Sequence, residues 1–347
     1  MIKVSERCRG FRGIFVVMAW FCLAGEGTAG EWNRTNVVDG TGCILKFEGP
    51  VERGDAQELE AALDGFRAQI EEVDPFYYMR DFTSDSVCLN SEGGTFSEGV
   101  KIAQFLQLNG LGTVVEAGDR CLSACAIAFM GGSYSSESDR GSQPSRAIYP
   151  TARLGFHSPS LNLPKSQYSE AIVSDAYAAA LSSIADLQVI ADDIRFPRSL
   201  LVTMLQTPPE QMMIVETVGQ AAQWRLIVAG VEPVKTLQTD QLEHACENID
   251  AGLLDEPARK YGYAFGIGGD PYTLRQEGDN IWFGEYTGFR QELATPCSLT
   301  YYTTKSTETL HTSLIQGIVE LVEWTDLYAY HLFAPETKLS ALPVRGE

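Results

Sequence analysis

The chain has 347 residues and a formal charge of −20, with 44% hydrophobic and 21% charged side chains. That acidity excludes nucleic acid as a partner and disfavours an anionic membrane surface, since both would be repelled. The composition is otherwise globular, and the length allows a main domain of about 200 residues with a smaller unit attached.

Residues 1–29 have the layout of a secretory signal peptide: Lys3, Arg7, Arg9 and Arg12, then an apolar run to Ala24, then the small residues of GEGTAG. Cleavage is expected after Ala29, giving a periplasmic or secreted chain. The run is shorter than the ~20 residues of a spanning helix, so membrane contact is expected only through an uncleaved signal. Cys22 sits in AWFCLAG, ahead of the small residues instead of after them, which does not support a lipid anchor. Removing the segment takes four cations and two anions from −20 and leaves −22.

Six cysteines remain after cleavage, an even number that in an oxidising compartment implies disulfides. Connectivity is not readable, although Cys246 with Cys297 is preferred, both lying in the C-terminal third, and Cys121 with Cys125 would make a local bridge. Zinc on Cys121, Cys125 and His157 is the metal alternative. It lacks a second ligand pair, so neither metal nor cofactor is expected.

In chain order, residues 42–51 read as a buried strand and 54–73 as an amphipathic helix with Leu59, Leu63, Phe66 and Ile70 on one face. Residues 86–90 make a second strand ending in Ser91-Glu92-Gly93-Gly94, and a helix with Val100, Ile102, Phe105 and Leu106 runs to Asn109-Gly110. Residues 112–118 form a third strand and 123–130 a short apolar helix. This alternation implies an α/β core with parallel pairing. The serine-rich stretch 133–145 reads as a loop and 166–194 as a long helix, with breaks at Pro197 and Pro208-Pro209. Beyond about residue 235 the pattern changes to short strands and turns, with a last helix expected near 308–324. The expected division is therefore 1–29, 30–235 and 236–347.

Three segments carry chemistry: LNSEGG ending at Gly94, CLSACAIAFMGG at 121–132 and ARLGFHSP around His157. They supply a glycine turn, a serine at a strand-to-helix junction and an imidazole, the parts that acyl transfer needs. GIGGD at 266–270 lacks the lysine of a phosphate cradle and reads as a turn. Asn33-Arg34-Thr35 matches a glycosylation acceptor that exported bacterial context makes incidental, and His244, His311 and His331 read as surface or structural.

Together with ILKFEGPVERGDAQELEAAL and VCLNSEGGTFSEGVKIAQFL, these segments resemble the ClpP/crotonase superfamily over roughly residues 40–235, most closely exported bacterial members with a C-x-S-A-C motif. The resemblance implies a ClpP/crotonase-like spiral of ββα units with a mainly parallel sheet, followed here by a small α+β C-terminal domain. It makes Ser123 the nucleophile, His157 the general base, and Gly93 with the Ala124 N–H the oxyanion hole. The implied activity is a serine hydrolase, a peptidase acting on peptide or protein substrate, with homo-oligomers as an allied expectation. Two positions depart from the family. Glu92 stands where proline is usual, and the orienting aspartate falls at Met213 and Ile214, leaving Glu216 as a weak third member and Glu210 nearby. A binding or scaffold protein with a degenerate triad is the alternative, and an acyl-thioester enzyme a more distant one.

Overall fold

The computed structural model describes residues 30–35, 43–73, 85–135, 141–159, 166–258, 272–277, 281–286, 297–302, 310–316 and 321–345. The expected signal peptide and the GIGGD turn lie outside these residues, as does the Ile70 side chain. The chain opens with β1 (Glu31–Arg34), β2 (Cys43–Glu48), α1 (Asp55–Val73), β3 (Ser86–Asn90), α2 (Phe96–Leu108) and β4 (Gly112–Val115). In β2 the residues Cys43, Ile44, Leu45 and Phe47 are all buried, as suits a strand covered on both faces. Leu59, Leu63 and Phe66 of α1 recur at helical spacing and enter the same core. Buried Glu98 of α2 accepts hydrogen bonds from the Gly54 and Ala56 N–H groups, both at 3.1 Å, satisfying free amides at the start of α1. Burial disfavours the Glu98 carboxylate, but Lys101 at 2.8 Å and those two amides outweigh it and lower its pKa.

Next come β5 (Arg120–Leu122), α3 (Ala124–Phe129), β6 (Ser133–Ser135), β7 (Ser142–Pro144), β8 (Arg146–Ile148) and β9 (Arg153–Phe156). The expected loop at 133–145 is thus corrected to a hairpin, with Ser133 paired to Pro144 and Ser135 to Ser142. Its polar residues hide the strand from a periodicity reading, yet Ser133 is held by tertiary contact, its N–H donating to Leu111 O at 2.9 Å. Residues 136–140 lie outside the described set.

The chain continues through α4 (Glu170–Ile190), α5 (Arg198–Gln206), β10 (Met213–Ile214), α6 (Val218–Gln223) and β11 (Ile227–Val228). The main sheet has the order β1-β2-β3-β4-β8-β11, parallel throughout except for the antiparallel edge pair β1 and β2. A smaller sheet, β10-β9-β5, stands beside it and is extended by a parallel bridge from Ser91 to Cys121. The architecture is mixed α/β with a mostly parallel central sheet.

After α7 (Thr239–Leu254), strands β12 (Tyr272–Glu277), β13 (Ile281–Tyr286), β14 (Cys297–Tyr302), β15 (Leu310–Gln316) and β16 (Leu321–Leu327) form an antiparallel meander. The expected helix near 308–324 is corrected to β15 and β16. Their ladder runs from Leu310 opposite Leu327 to Gln316 opposite Leu321, and the threonine, valine and tryptophan residues there suit a pleated surface. Residues 329–342 then return to the larger core: Ala329, Tyr330, Leu339 and Leu342 are buried in it, and Tyr330 OH donates to Leu226 O at 2.6 Å.

Three disulfides are present among the described residues: Cys43–Cys88 between neighbouring strands β2 and β3, Cys121–Cys125, and Cys246–Cys297 from α7 to β14. No helix among the described residues is long and apolar enough to cross a membrane.

Candidate active site

Strands β5 and β9 run side by side in parallel, Cys121 opposite Leu154 and Leu122 opposite Gly155. Ser123 follows β5 directly, and its N–H donates to Gly155 O at 2.9 Å. His157 follows β9 directly. The register therefore delivers serine and histidine to the C-terminal ends of two adjacent parallel strands.

Ser123 has φ 56° and ψ −121°. A non-glycine residue in this region typically costs about 1–3 kcal/mol and persists only where its surroundings enforce it. Cys121, Leu122 and all of α3 are buried, while Ser123 is the one residue between 121 and 133 that is not. The strained turn is what lifts one hydroxyl out of a buried strand and helix, the geometry of a nucleophile at a sharp strand-to-helix bend.

Gly93 has φ 98°, and a Cβ there would stand 2.7 Å from Ser123 Cβ, 2.5 Å from Leu122 O and 3.1 Å from Ala124 N. Only glycine lets this backbone lie against the serine turn. Gly94, at φ 153°, lies against Val51, whose N–H donates to Gly93 O at 2.9 Å. The Gly93 N–H, expected in the oxyanion hole, donates in this structure to Ser91 Oγ at 3.0 Å. Among the described residues the Ala124 N–H has no hydrogen-bond partner. Gly99 of α2 completes the seat of α3, since a Cβ there would meet Ala124 O at 2.3 Å.

His157 is partly exposed, and its Nδ1 lies 2.8 Å from Ser158 O. A carbonyl only accepts, so Nδ1 carries the hydrogen and the Nε2 lone pair is left as the base. Ser158 is fixed in turn by its N–H, which donates to Thr207 O at 2.9 Å. Beside β9, Met213 pairs with Phe156 and Ile214 with Gly155, so apolar side chains occupy the strand where the orienting carboxylate was sought. Glu216 does not orient the imidazole: it lies past the end of β10, largely exposed, and its carboxylate faces Lys338 at 3.7 Å. Glu210 is exposed in the turn after α5.

Glu92, the other departure, turns outward and pairs with Arg120 at 2.5 Å, with both side chains in solvent. Its charge is thereby drawn to a cation of β5. The zinc alternative on Cys121, Cys125 and His157 is corrected by the Cys121–Cys125 disulfide, which leaves no thiolate to ligate. Sequence reasoning missed Ser91 Oγ and Ser158 O; the latter is a backbone atom and carries no side-chain signature. No family model matches the chain, and no curated protein matches it.

Proposed function

We propose that the protein is an exported serine hydrolase, a peptidase with a ClpP/crotonase-like fold, in which Ser123 is the nucleophile and His157 the base. The observation that carries the reading is the strained, accessible Ser123 at a strand-to-helix turn packed on Gly93, one strand away from His157. Ser123 Oγ attacks the substrate carbonyl while His157 Nε2 takes its proton. The oxyanion is received by the Ala124 N–H, joined by the Gly93 N–H once it leaves Ser91 Oγ. Collapse expels the amine, which collects the proton from His157, and water then hydrolyses the acyl enzyme by the same route. The Ser158 carbonyl takes the orienting place of a third triad member, making this a dyad supported by backbone.

Three disulfides support an oxidising compartment, in keeping with export through residues 1–29. A second reading, a binding or scaffold protein, is favoured by the occupied Gly93 amide and by the absence of a carboxylate on His157 among the described residues. A fluorophosphonate probe separates the two. The mature chain is expected to label at Ser123, with labelling abolished in Ser123→Ala. A wild-type chain that stays unlabelled overturns the hydrolase and leaves the scaffold.

A further inference from the structure

The Cys121–Cys125 disulfide encloses Leu122, Ser123 and Ala124, with the two Cα atoms 5.1 Å apart. Four residues of extended chain would span about 13 Å, so the bond can close only around a reversal of the backbone. Cys121 is on β5 and Cys125 is in the first turn of α3, and the reversal between them is Ser123 at φ 56°. Both cysteines are buried, at 0% and 1% exposure, so the sulfurs face the core and not substrate.

A bond this short in sequence is a poor stabiliser of the whole chain. It restricts the unfolded state less than Cys43–Cys88, which closes 45 residues. Its effect is local: it fixes the direction in which α3 leaves β5, and with it the strained φ that exposes the hydroxyl. The other restraints on that turn are non-covalent, namely the Ser123 N–H to Gly155 O bond and the packing on Gly93 and Gly99. A strained residue relaxes when what enforces it is removed.

We propose that Cys121 and Cys125 are positioning residues for the nucleophile, and that their disulfide switches the enzyme on after export. This rests on the reading of Ser123 as nucleophile. In a reducing cytosol the two thiols leave the turn free to relax and the serine out of register with the base. Outside it, thiol–disulfide exchange with an oxidised dithiol protein joins the two sulfurs. Two electrons and two protons pass to that co-reactant, which departs as a dithiol.

The test compares the full mature chain with Cys121→Ser/Cys125→Ser, and with Cys121→Val/Cys125→Ala should the serines prove too polar for the core. Cys43→Ser/Cys88→Ser is the control pair. Fluorophosphonate labelling rate and thermal unfolding are read together. The brace variants are expected to keep a cooperative transition and to label about a hundredfold more slowly, the scale of an ångström-size misplacement. The control pair is expected to lower the transition temperature more and to label at the wild-type rate while folded. A folded brace variant labelling like wild type overturns the proposal. A second readout needs no catalysis. Glycine holds this φ without strain, so removing the brace from Ser123→Gly should lower stability more than removing it from wild type, where relaxation of Ser123 offsets part of the loss, and equal losses overturn the brace. If wild type never labels, the nucleophile reading fails while this cycle still reports on the bond.

Discussion

His157 and His331 carry the same ring into opposite settings, and the two neighbourhoods show how backbone alone decides what an imidazole can do. At His157 the partner of Nδ1 is the Ser158 carbonyl, an acceptor, so Nε2 keeps its lone pair at a partly exposed strand end. At His331 the partner of Nδ1 is the Tyr328 N–H, a donor at 3.0 Å, so Nδ1 spends its lone pair inside the protein. His331 is 6% exposed, its ring centroid 4.0 Å from that of Tyr330, and its carbonyl accepts from Asn248 at 2.9 Å. Burial holds its pKa down to about 3. One Nδ1 faces an acceptor and the other a donor.

The largest test of that contrast is His157→Gln. Loss of a positioned general base typically slows proton-coupled attack by about two to four orders of magnitude, so fluorophosphonate labelling should fall by that much. The side chain is partly exposed, and denaturant unfolding should move by no more than about 0.5 kcal/mol. Labelling that survives unchanged would remove His157 from the chemistry and with it the meaning of the tautomer.

His331 is expected to act on stability instead. Its folded pKa lies below the unfolded value near 6.5, so between those values the unfolded chain binds a proton that the folded chain does not. The contribution is fully present above pH 6.5 and is lost as pH falls toward 3, at a slope of up to about 1.4 kcal/mol per pH unit. Carboxylates such as Glu98 steepen the same acid limb, so the measurement is a difference: urea midpoints of wild type and His331→Gln from pH 7 to 4. The variant is expected to be less stable at pH 7 and to have the shallower acid limb. Parallel limbs would show that the buried ring does not set the acid response.

Most of the core was legible because period and spacing reported it. Leu59, Leu63 and Phe66 recur at helical intervals, and the apolar residues gathered in β2 implied a buried strand. The order of Gly93, Ser123 and His157 was readable, since three side-chain types in sequence specify a chemistry. What was not readable depended on partners far along the chain. The β6–β7 hairpin is polar, and the β15–β16 pair lies in a stretch whose apolar residues also fit a helix. The contrast between α3 and α4 makes the same point: both are rich in alanine and apolar residues, yet α3 is wholly buried. By comparison, α4 buries only Leu187 and Ile190 and leaves Tyr177 67% exposed. The hydrogen bond that decides the His157 tautomer ends on a carbonyl, which every residue has.

His244 sharpens the comparison with the smallest effect, because it is less buried than His331 and opposite to it in sign. Its Nδ1 is 3.6 Å from Glu247, too far for a good hydrogen bond, so the pair acts through charge. Glu247 raises the His244 pKa, burial opposes this, and Asp240 and Glu243 on the same helix add to the rise. A raised pKa contributes stability that is fully present below about 6.5 and is lost as pH rises through the folded value. The side chain is 26% exposed and solvent screens the pair, so about 0.5 kcal/mol is the scale to expect. His244→Gln should therefore lower the urea midpoint slightly at pH 6 and leave it unchanged at pH 9. A loss that grows with pH would mean that the neutral ring, and not the imidazolium, is what Glu247 holds.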